Sequence, residues 1–414
     1  MVTQSVSALS INGKRLMASL QHLAQIGRLP TGGVQRLAFS RPDCQARSLV
    51  RRWMQEAGMA VRIDAAGNLI GRYPGQCSGA PALATGSHLD TVPNGGHYDG
   101  AYGVLAGIEV VRVLAEHGIH LDHPLEVIAF ADEEGTMIGC KALAGQLLPD
   151  PEAYRSRDQE PIESCLERIG GDWAAIESAR RSPDSLAAFV ELHIEQGPVL
   201  TSMAQQIGVV TGIVGQRRYA ITITGQTSHA GTTPMAHRRD ALVAASQVVL
   251  AIHDLAQQPG DQVATVGRLQ LQPNVPNSIP GQVTLSLDIR DLSNDRLDEL
   301  MQQVQVALDA IATETGSEIH LRQQLRTDPA PAAVAIQDTI AQVCQELDLS
   351  YCSLPSRASH DAQEMARIAP MGMIFVPSEG GISHADTEYT RPEDCINGTT
   401  VLLQTLLRLD RACP

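Results

Sequence analysis

Aromatic residues are scarce, at 3% of the chain, and the eight cysteines (44, 77, 140, 165, 344, 352, 395 and 413) include no Cys-x-x-Cys pair. That scatter excludes a zinc ribbon and a dense disulfide framework, and it fits a reducing compartment. Basic residues are in deficit as well: 31 Lys and Arg stand against 46 Asp and Glu, a net charge of −15. Such a balance disfavours phosphate backbones and anionic membranes, so no nucleic-acid or membrane partner is expected. No stretch approaches the roughly 18 uninterrupted apolar residues of a membrane span, and Met1 to Gly13 has no basic segment followed by an apolar one. A cytoplasmic protein is the expectation.

What is present is an ordinary globular composition, 43% hydrophobic and 19% charged. At 414 residues the chain exceeds what one core usually organises, so two domains are expected. Apolar runs at Ala82 to Thr85, Leu125 to Ala131, Ala187 to Leu192 and Met373 to Val376 alternate with helical patterns. Between the first two, Val104, Ile108, Val111 and Leu114 recur at helical spacing, with Gly118 placed to end the helix. The pattern predicts an α/β fold with a mixed, mostly parallel sheet and flanking helices. From about Ile213 the strands become half-exposed: Tyr219, Ile221 and Ile223, then Val283, Leu285, Leu287 and Ile289, alternate with polar or small residues. Helical stretches over 240–256 and 294–315 separate them. A smaller α+β module over 213–325 is therefore predicted, inserted into a discontinuous domain of 1–212 and 326–414.

Acids, histidines and glycines gather where the apolar runs end, the rim at which ligands collect in open α/β sheets. The first motif runs from Gly86-Ser87-His88-Leu89-Asp90 to Gly95-Gly96-His97-Tyr98-Asp99-Gly100. His88 reads as a metal ligand and Asp90 as the carboxylate that accepts its other ring N–H. Asp99, among glycines, has two oxygens with which to bridge two cations. Asp132-Glu133-Glu134 follows the second run, and adjacent like charges are costly unless a cation or a proton offsets them. One glutamate as ligand and its neighbour as proton carrier is coherent, but spacing does not choose between Glu133 and Glu134. His193 and His384 mark two further strand ends. Imidazoles and carboxylates without thiolates suit a pair of zinc-like divalent ions.

With these motifs the chain resembles the amidase, hydantoinase/carbamoylase family. Those two-metal amidohydrolases include N-carbamoyl-L-amino acid hydrolases, allantoate amidohydrolases and β-ureidopropionases. Glu191-Leu192-His193-Ile194-Glu195-Gln196-Gly197 and His229-Ala230-Gly231-Thr232-Thr233-Pro234-Met235 carry the likeness most specifically, and it extends from about Gly27 to Leu409. The resemblance implies a zinc-exopeptidase-like catalytic domain with an inserted lid and dimerisation domain, working as a homodimer. It implies that His88 and His193 hold one metal, Glu134 and His384 the other, and that Asp99 bridges them. Glu133 would be the general base. Zinc is the first expectation for the metal, with manganese, cobalt or nickel as alternatives.

His229 would reach the partner subunit's site and stabilise the oxyanion. Arg290 and Asn277 would clamp the substrate carboxylate, and Gln196 would orient the ureido group. Cleavage of N-carbamoyl-L-amino acids is the leading expectation and of allantoate the second; an aminopeptidase and a non-catalytic dimeric scaffold are the remaining alternatives. His360-Asp361 resembles a wall of the site. The segment 135–139 is shorter than in the family, and Arg357 and Ser359 replace small residues, two departures that bear on pocket shape. Arg217, Arg218, Arg238 and Arg239 are expected to form surface ion pairs.

Overall fold

The four apolar runs fold as four neighbouring parallel strands in the computed structural model, which describes residues 9–77 and 79–412. Cys413 and residues 1–8 of the amino-terminal segment lie outside the described residues. Contacts divide the chain into two units, Met1–Gly212 with Pro331–Pro414, and Ile213–Ala330.

In the first unit the strands are β1 (Ala60–Ile63), β2 (Leu69–Tyr73), β3 (Ala82–His88), β4 (Leu125–Phe130), β5 (Leu186–Ile194), β6 (Ile207–Ile213), β7 (Tyr351–Ser356) and β8 (Met371–Val376). They lie in the order β1-β2-β4-β3-β5-β8-β6, with β7 also pairing with β6. The β3–β4, β3–β5 and β5–β8 pairs are parallel, and the outer pairs β1–β2, β2–β4 and β8–β6 are antiparallel. Every residue of β3, β4 and β8 is buried, which explains why these strands read as largely apolar runs and not as alternating ones; Glu126 in β4 is offset by ion pairs with Arg72 and Arg181. Helices Ala101–Glu116 and Pro392–Ala412 pack against this centre. Val104, Ile108, Val111 and Leu114 are buried there, and Gly118, at φ +61°, follows the helix end. Among the described residues no helix is long and apolar enough to cross a membrane.

The second unit is a four-stranded antiparallel sheet in the order Glu318–Thr327, Gly215–Thr224, Gln282–Asp291, Val263–Gln272. In Gln282–Asp291 the apolar residues are buried and the polar ones between them half-buried. Helix Ala241–Ala256, capped by Asp240, and helix Asn294–Thr315, capped by Ser293, complete a separate core with Ile221, Leu285 and Leu300. The last strand continues to Thr327, because its pairing with the first runs to Gln216, and the unit ends at Ala330 and not near Leu325.

Helix Arg41–Glu56 begins on a reciprocal cap. Ser40 Oγ accepts the Asp43 N–H at 3.4 Å, and Asp43 Oδ2 accepts the Phe39 N–H at 2.9 Å. Asp43 is buried, and burial pushes its carboxyl up to about 6 against the attraction of Arg47. The folded protein then holds this proton more tightly than the unfolded chain, so stability falls as pH rises from the ordinary aspartate range through about 6. Asp43→Asn should flatten that fall, gaining about 2.4 kcal/mol on the parent between pH 4 and pH 7, most of the displacement at roughly 1.4 kcal/mol per pH unit. Urea unfolding at the two pH values measures it, and parallel pH profiles for both proteins would sink it.

Candidate metal and catalytic site

β3 ends at His88, β4 leads into Asp132-Glu133-Glu134, β5 carries His193, and His384 follows β8. The chain turns sharply after β4 because Asp132 adopts φ +58° and its Oδ2 accepts both the N–H (2.9 Å) and the hydroxyl (2.6 Å) of Thr136. Asp132 thus forms the turn that projects the two glutamates.

The five expected ligands converge. His88, Asp99 and His193 form one group of mutually close donor atoms, and Asp99, Glu134 and His384 form another. Asp99 Oδ1 lies 3.7 Å from His88 Nε2 and 3.1 Å from His193 Nε2, while Oδ2 lies 3.3 Å from His384 Nε2. Glu134 Oε1 is 3.5 Å from His384 Nε2, and Glu133 Oε2 is 3.7 Å from His88 Nε2. Each oxygen of Asp99 therefore faces a different group. Gln196 donates its amide N–H to Asp99 Oδ2 at 2.9 Å, beside Ser383 and His384.

The expected role of Asp90 is corrected. His88 Nδ1 bonds to the main-chain carbonyl of Asp90 at 2.9 Å, whereas the Asp90 carboxylate stands 3.9 Å from that nitrogen and accepts the Glu134 N–H at 3.1 Å. The strand end curls so tightly that the carbonyl reaches the ring first. His193 uses the same device, its Nδ1 bonding to the Ile194 carbonyl at 2.9 Å. With Nδ1 carrying the hydrogen, both rings turn Nε2 toward Asp99, and that of His193 also accepts the Gly100 N–H at 3.1 Å. Lone pairs facing a carboxylate need a positive charge between them. Glu134 Oε1, buried without a hydrogen-bond partner, shows the same need, so the residues fit a divalent cation in each group.

The electrostatics agree. Burial alone would raise the Asp99 carboxyl, yet His193, His384 and His88 hold it well below the ordinary carboxylate range. Burial pushes Glu133 well above that range, and burial with the Asp99 charge pushes Glu134 up to about 7. The hydrogen bond to Asp99 raises His384 to about 9. Glu133, Glu134 and His384 thus lie in an excess of negative charge, whereas Asp99 is lowered by the three imidazoles, which carry the positive charge when no ion is present.

Three buried residues that the motifs did not single out hold this rim. Glu191 accepts the Ser87 hydroxyl at 2.7 Å and the Ala362 N–H at 2.9 Å. Arg36, 1% exposed, donates to the Leu89 carbonyl at 2.6 Å, so the neighbours of His88 are pinned on both sides. Glu388 accepts the N–H groups of Tyr98 and Asp99. His360 and Asp361 are buried beneath, the His360 ring centroid 4.5 Å from that of His193. Glu191, His193 and His360 also lie close enough to hold an ion, but both Glu191 oxygens are engaged.

In the second unit, His229 Nδ1 accepts the N–H groups of Gly231 (3.0 Å) and Thr232 (3.2 Å), leaving Nε2 to carry the hydrogen. Asn277 sits beside it, its carbonyl accepting the Ala230 N–H at 3.0 Å. Arg290 is not with them: it lies at the other end of strand Gln282–Asp291, roughly 27 Å along it at about 3.4 Å per residue. The strand's length keeps Asn277 and Arg290 of one chain from sharing a clamp. Arg290 Nε donates to Asp288 at 3.0 Å. Arg217 also departs from the surface expectation: it is 1% exposed and bonds to the Thr327 carbonyl, Asn294 and Asp328. Alternation places its side chain inside the unit.

With that geometry in hand, the comparisons identify the lineage. A model of peptidase family M20/M25/M40 matches residues 84–408. The chain belongs to that family. It is 42% identical over 406 residues to an N-carbamoyl-L-amino acid amidohydrolase of Geobacillus stearothermophilus, covering 96% of this chain and 99% of that one. An allantoate amidohydrolase of Bacillus subtilis is 35% identical, covering 94% and 96%. The crystal structure of a hydantoinase/carbamoylase family amidase from Burkholderia multivorans superposes with a TM-score of 0.91 at 38% identity, covering 98% and 99%.

Gly100 tests the cluster. It has φ +65°, and a Cβ there would lie 2.4 Å from His88 Cε1. Gly100→Ala should displace His88, lower bound divalent metal in elemental analysis and cost about 1–3 kcal/mol of stability. Unchanged metal content would remove His88 from the ligand set.

Proposed function

We propose that the protein hydrolyses the ureido C–N bond of N-carbamoyl-L-amino acids, releasing ammonia, carbon dioxide and the amino acid. The observation that carries this reading is Asp99, with one oxygen toward His88 and His193, the other toward His384, and Glu133 to spare. His88, His193 and Asp99 would hold one divalent cation, and Asp99, Glu134 and His384 the second. Zinc fits this nitrogen and oxygen donor set first, with manganese, cobalt or nickel as alternatives. When bound, such ions polarise the ureido carbonyl and lower the pKa of water.

Glu133, half-buried beside His88 and engaged in neither Asp99 group, takes the proton of the attacking water and returns it to the leaving nitrogen. Its carboxyl, raised well above the ordinary range by desolvation, suits a base that must hold a proton between two steps. His229, with its hydrogen on Nε2, donates to the oxyanion. Arg290 and Asn277 bind the substrate carboxylate and Gln196 orients the ureido group. The separation of Asn277 and His229 from Arg290 along one strand supports a homodimer, in which the second unit of one copy completes the site of the other. Allantoate is the second candidate substrate, supported by the allantoate amidohydrolase relative. A cytoplasmic setting is supported by the seven free cysteines among the described residues.

Glu133→Gln should keep its metal and lose turnover by about 10²–10⁴-fold, read as ammonia released from N-carbamoyl-L-methionine and, in parallel, from allantoate. Equal turnover would exclude Glu133 as the base, and the faster substrate decides between the two. Mixing Glu133→Gln with His229→Ala tests the shared site. If His229 serves the other copy, random re-pairing of two inactive proteins should restore about a quarter of parent activity, since half the dimers then hold one intact site of two. No restoration would place His229 in its own chain's site.

A further inference from the structure

We infer that Glu388 is a positioning residue that fixes Asp99 relative to His384 and thereby sets how tightly the second cation is retained, an inference that rests on the two-cation reading above. Glu388 is 4% exposed. Its Oε1 accepts two consecutive main-chain N–H groups, from Tyr98 at 3.0 Å and Asp99 at 3.1 Å, and its Oε2 accepts the Ser383 hydroxyl at 2.8 Å. These hydrogen-bond partners are all neutral donors, and they come from two segments nearly three hundred positions apart. Charge-assisted hydrogen bonds of this kind are about twice as strong as neutral ones, so one carboxylate ties the segments together.

Both ends of the tie lead directly to expected ligands. Holding the Asp99 N–H fixes the backbone from which the bridging carboxylate projects. Holding Ser383 fixes the residue before His384, whose backbone is in the left-handed region at φ +57°. Non-glycine residues remain there only when their surroundings impose it. The surrounding loop is closed at its base by the Glu379 N–H bonding to the Tyr389 carbonyl at 2.8 Å, and Glu388 returns toward the site by bonding its own N–H to the Ala385 carbonyl at 3.1 Å. Ser383 Oγ also lies 3.3 Å from Asp99 Oδ2, so the tie reaches the bridging carboxylate itself. Gly96 makes room for it: a Cβ at that position would lie 2.0 Å from Glu388 Oε1. The Gly95-Gly96 pair thus admits this carboxylate beneath the Asp99 turn.

Groups that orient metal ligands in this way typically change metal affinity by about 10–100-fold when replaced. Glu388→Gln keeps the size and one acceptor oxygen, Glu388→Ala removes the tie, and Ser383→Ala cuts one arm. The full-length proteins are loaded with zinc, and each ion's affinity is measured by chelator competition with elemental analysis. Melting of the metal-free proteins is followed in parallel. Glu388→Gln should bind one of its two ions about 10–100-fold more weakly with metal-free melting close to the parent, Glu388→Ala more weakly still, and Ser383→Ala the least affected. A merely structural tie would move melting and leave affinity unchanged, and that result overturns the inference while leaving the two-cation reading intact. A parent that binds fewer than two ions overturns both. Should the Glu388 variants not fold, Ser383→Ala decides: unchanged affinity for both ions overturns the inference, and weakened affinity for one upholds it.

Discussion

The site depends on one electrostatic constraint, the packing of Asp99, Glu133, Glu134 and Asp90 at the buried end of a parallel sheet. Carboxylates so placed repel one another across a medium that screens poorly, and only positive charge among them makes the arrangement tolerable. The chain supplies three imidazoles and no Lys or Arg side chain in contact with Asp99, Glu133 or Glu134 among the described residues. Imidazoles whose Nδ1 hydrogens are committed to main-chain carbonyls cannot also protonate toward Asp99 without becoming cations themselves. The arrangement therefore calls either for charged histidines or for metal ions. The raised His384 and the lowered Asp99 describe the first answer, and Glu134 Oε1, 3.5 Å from His384 Nε2 without a hydrogen bond, is only partly served by it.

The supporting architecture answers a geometric demand that follows from this. A ligand at a strand's last residue is only as well placed as the backbone on either side. Around His88, Glu191 grips Ser87 and Arg36 grips Leu89, so the ring is aimed by residues from three different segments. Asp90 serves twice, its carbonyl fixing the His88 tautomer and its carboxylate holding the Glu134 backbone, which links a residue of the first metal group to one of the second. Such linkage makes the rim one mechanical unit.

The strands and the clustered His, Asp and Glu residues were legible in the sequence for different reasons. Ala82, Leu125, Ala187 and Met373 begin runs that helices cover, and full burial leaves an unbroken apolar signature. The clustered residues stood out because His, Asp and Glu are costly at the buried end of such runs unless something offsets them. By contrast Arg36 and Glu388 look in sequence like any surface charge, and Glu191 stands in an apolar run without showing its role; the meaning of all three lies in partners dozens to hundreds of positions away. Arg217 misled because paired arginines on an acidic chain usually face water, and here strand alternation turned one inward. For Asp90, spacing revealed that the residue belongs with His88 but not which of its oxygens reaches the ring first.

The second unit presents its chemistry at two ends of one strand, and this constrains any account of substrate binding. His229 and Asn277 travel together, joined by the pairing of His229 with Ser278 and by the Ala230–Asn277 bond, and the His229 donor is fixed by its own turn. Arg290 is held at the opposite end, its direction set by Asp288. A rigid strand cannot fold these two ends onto a substrate only a few ångströms long. Within one copy of the strand, His229 and Asn277 on one side and Arg290 on the other stay too far apart to meet on such a molecule.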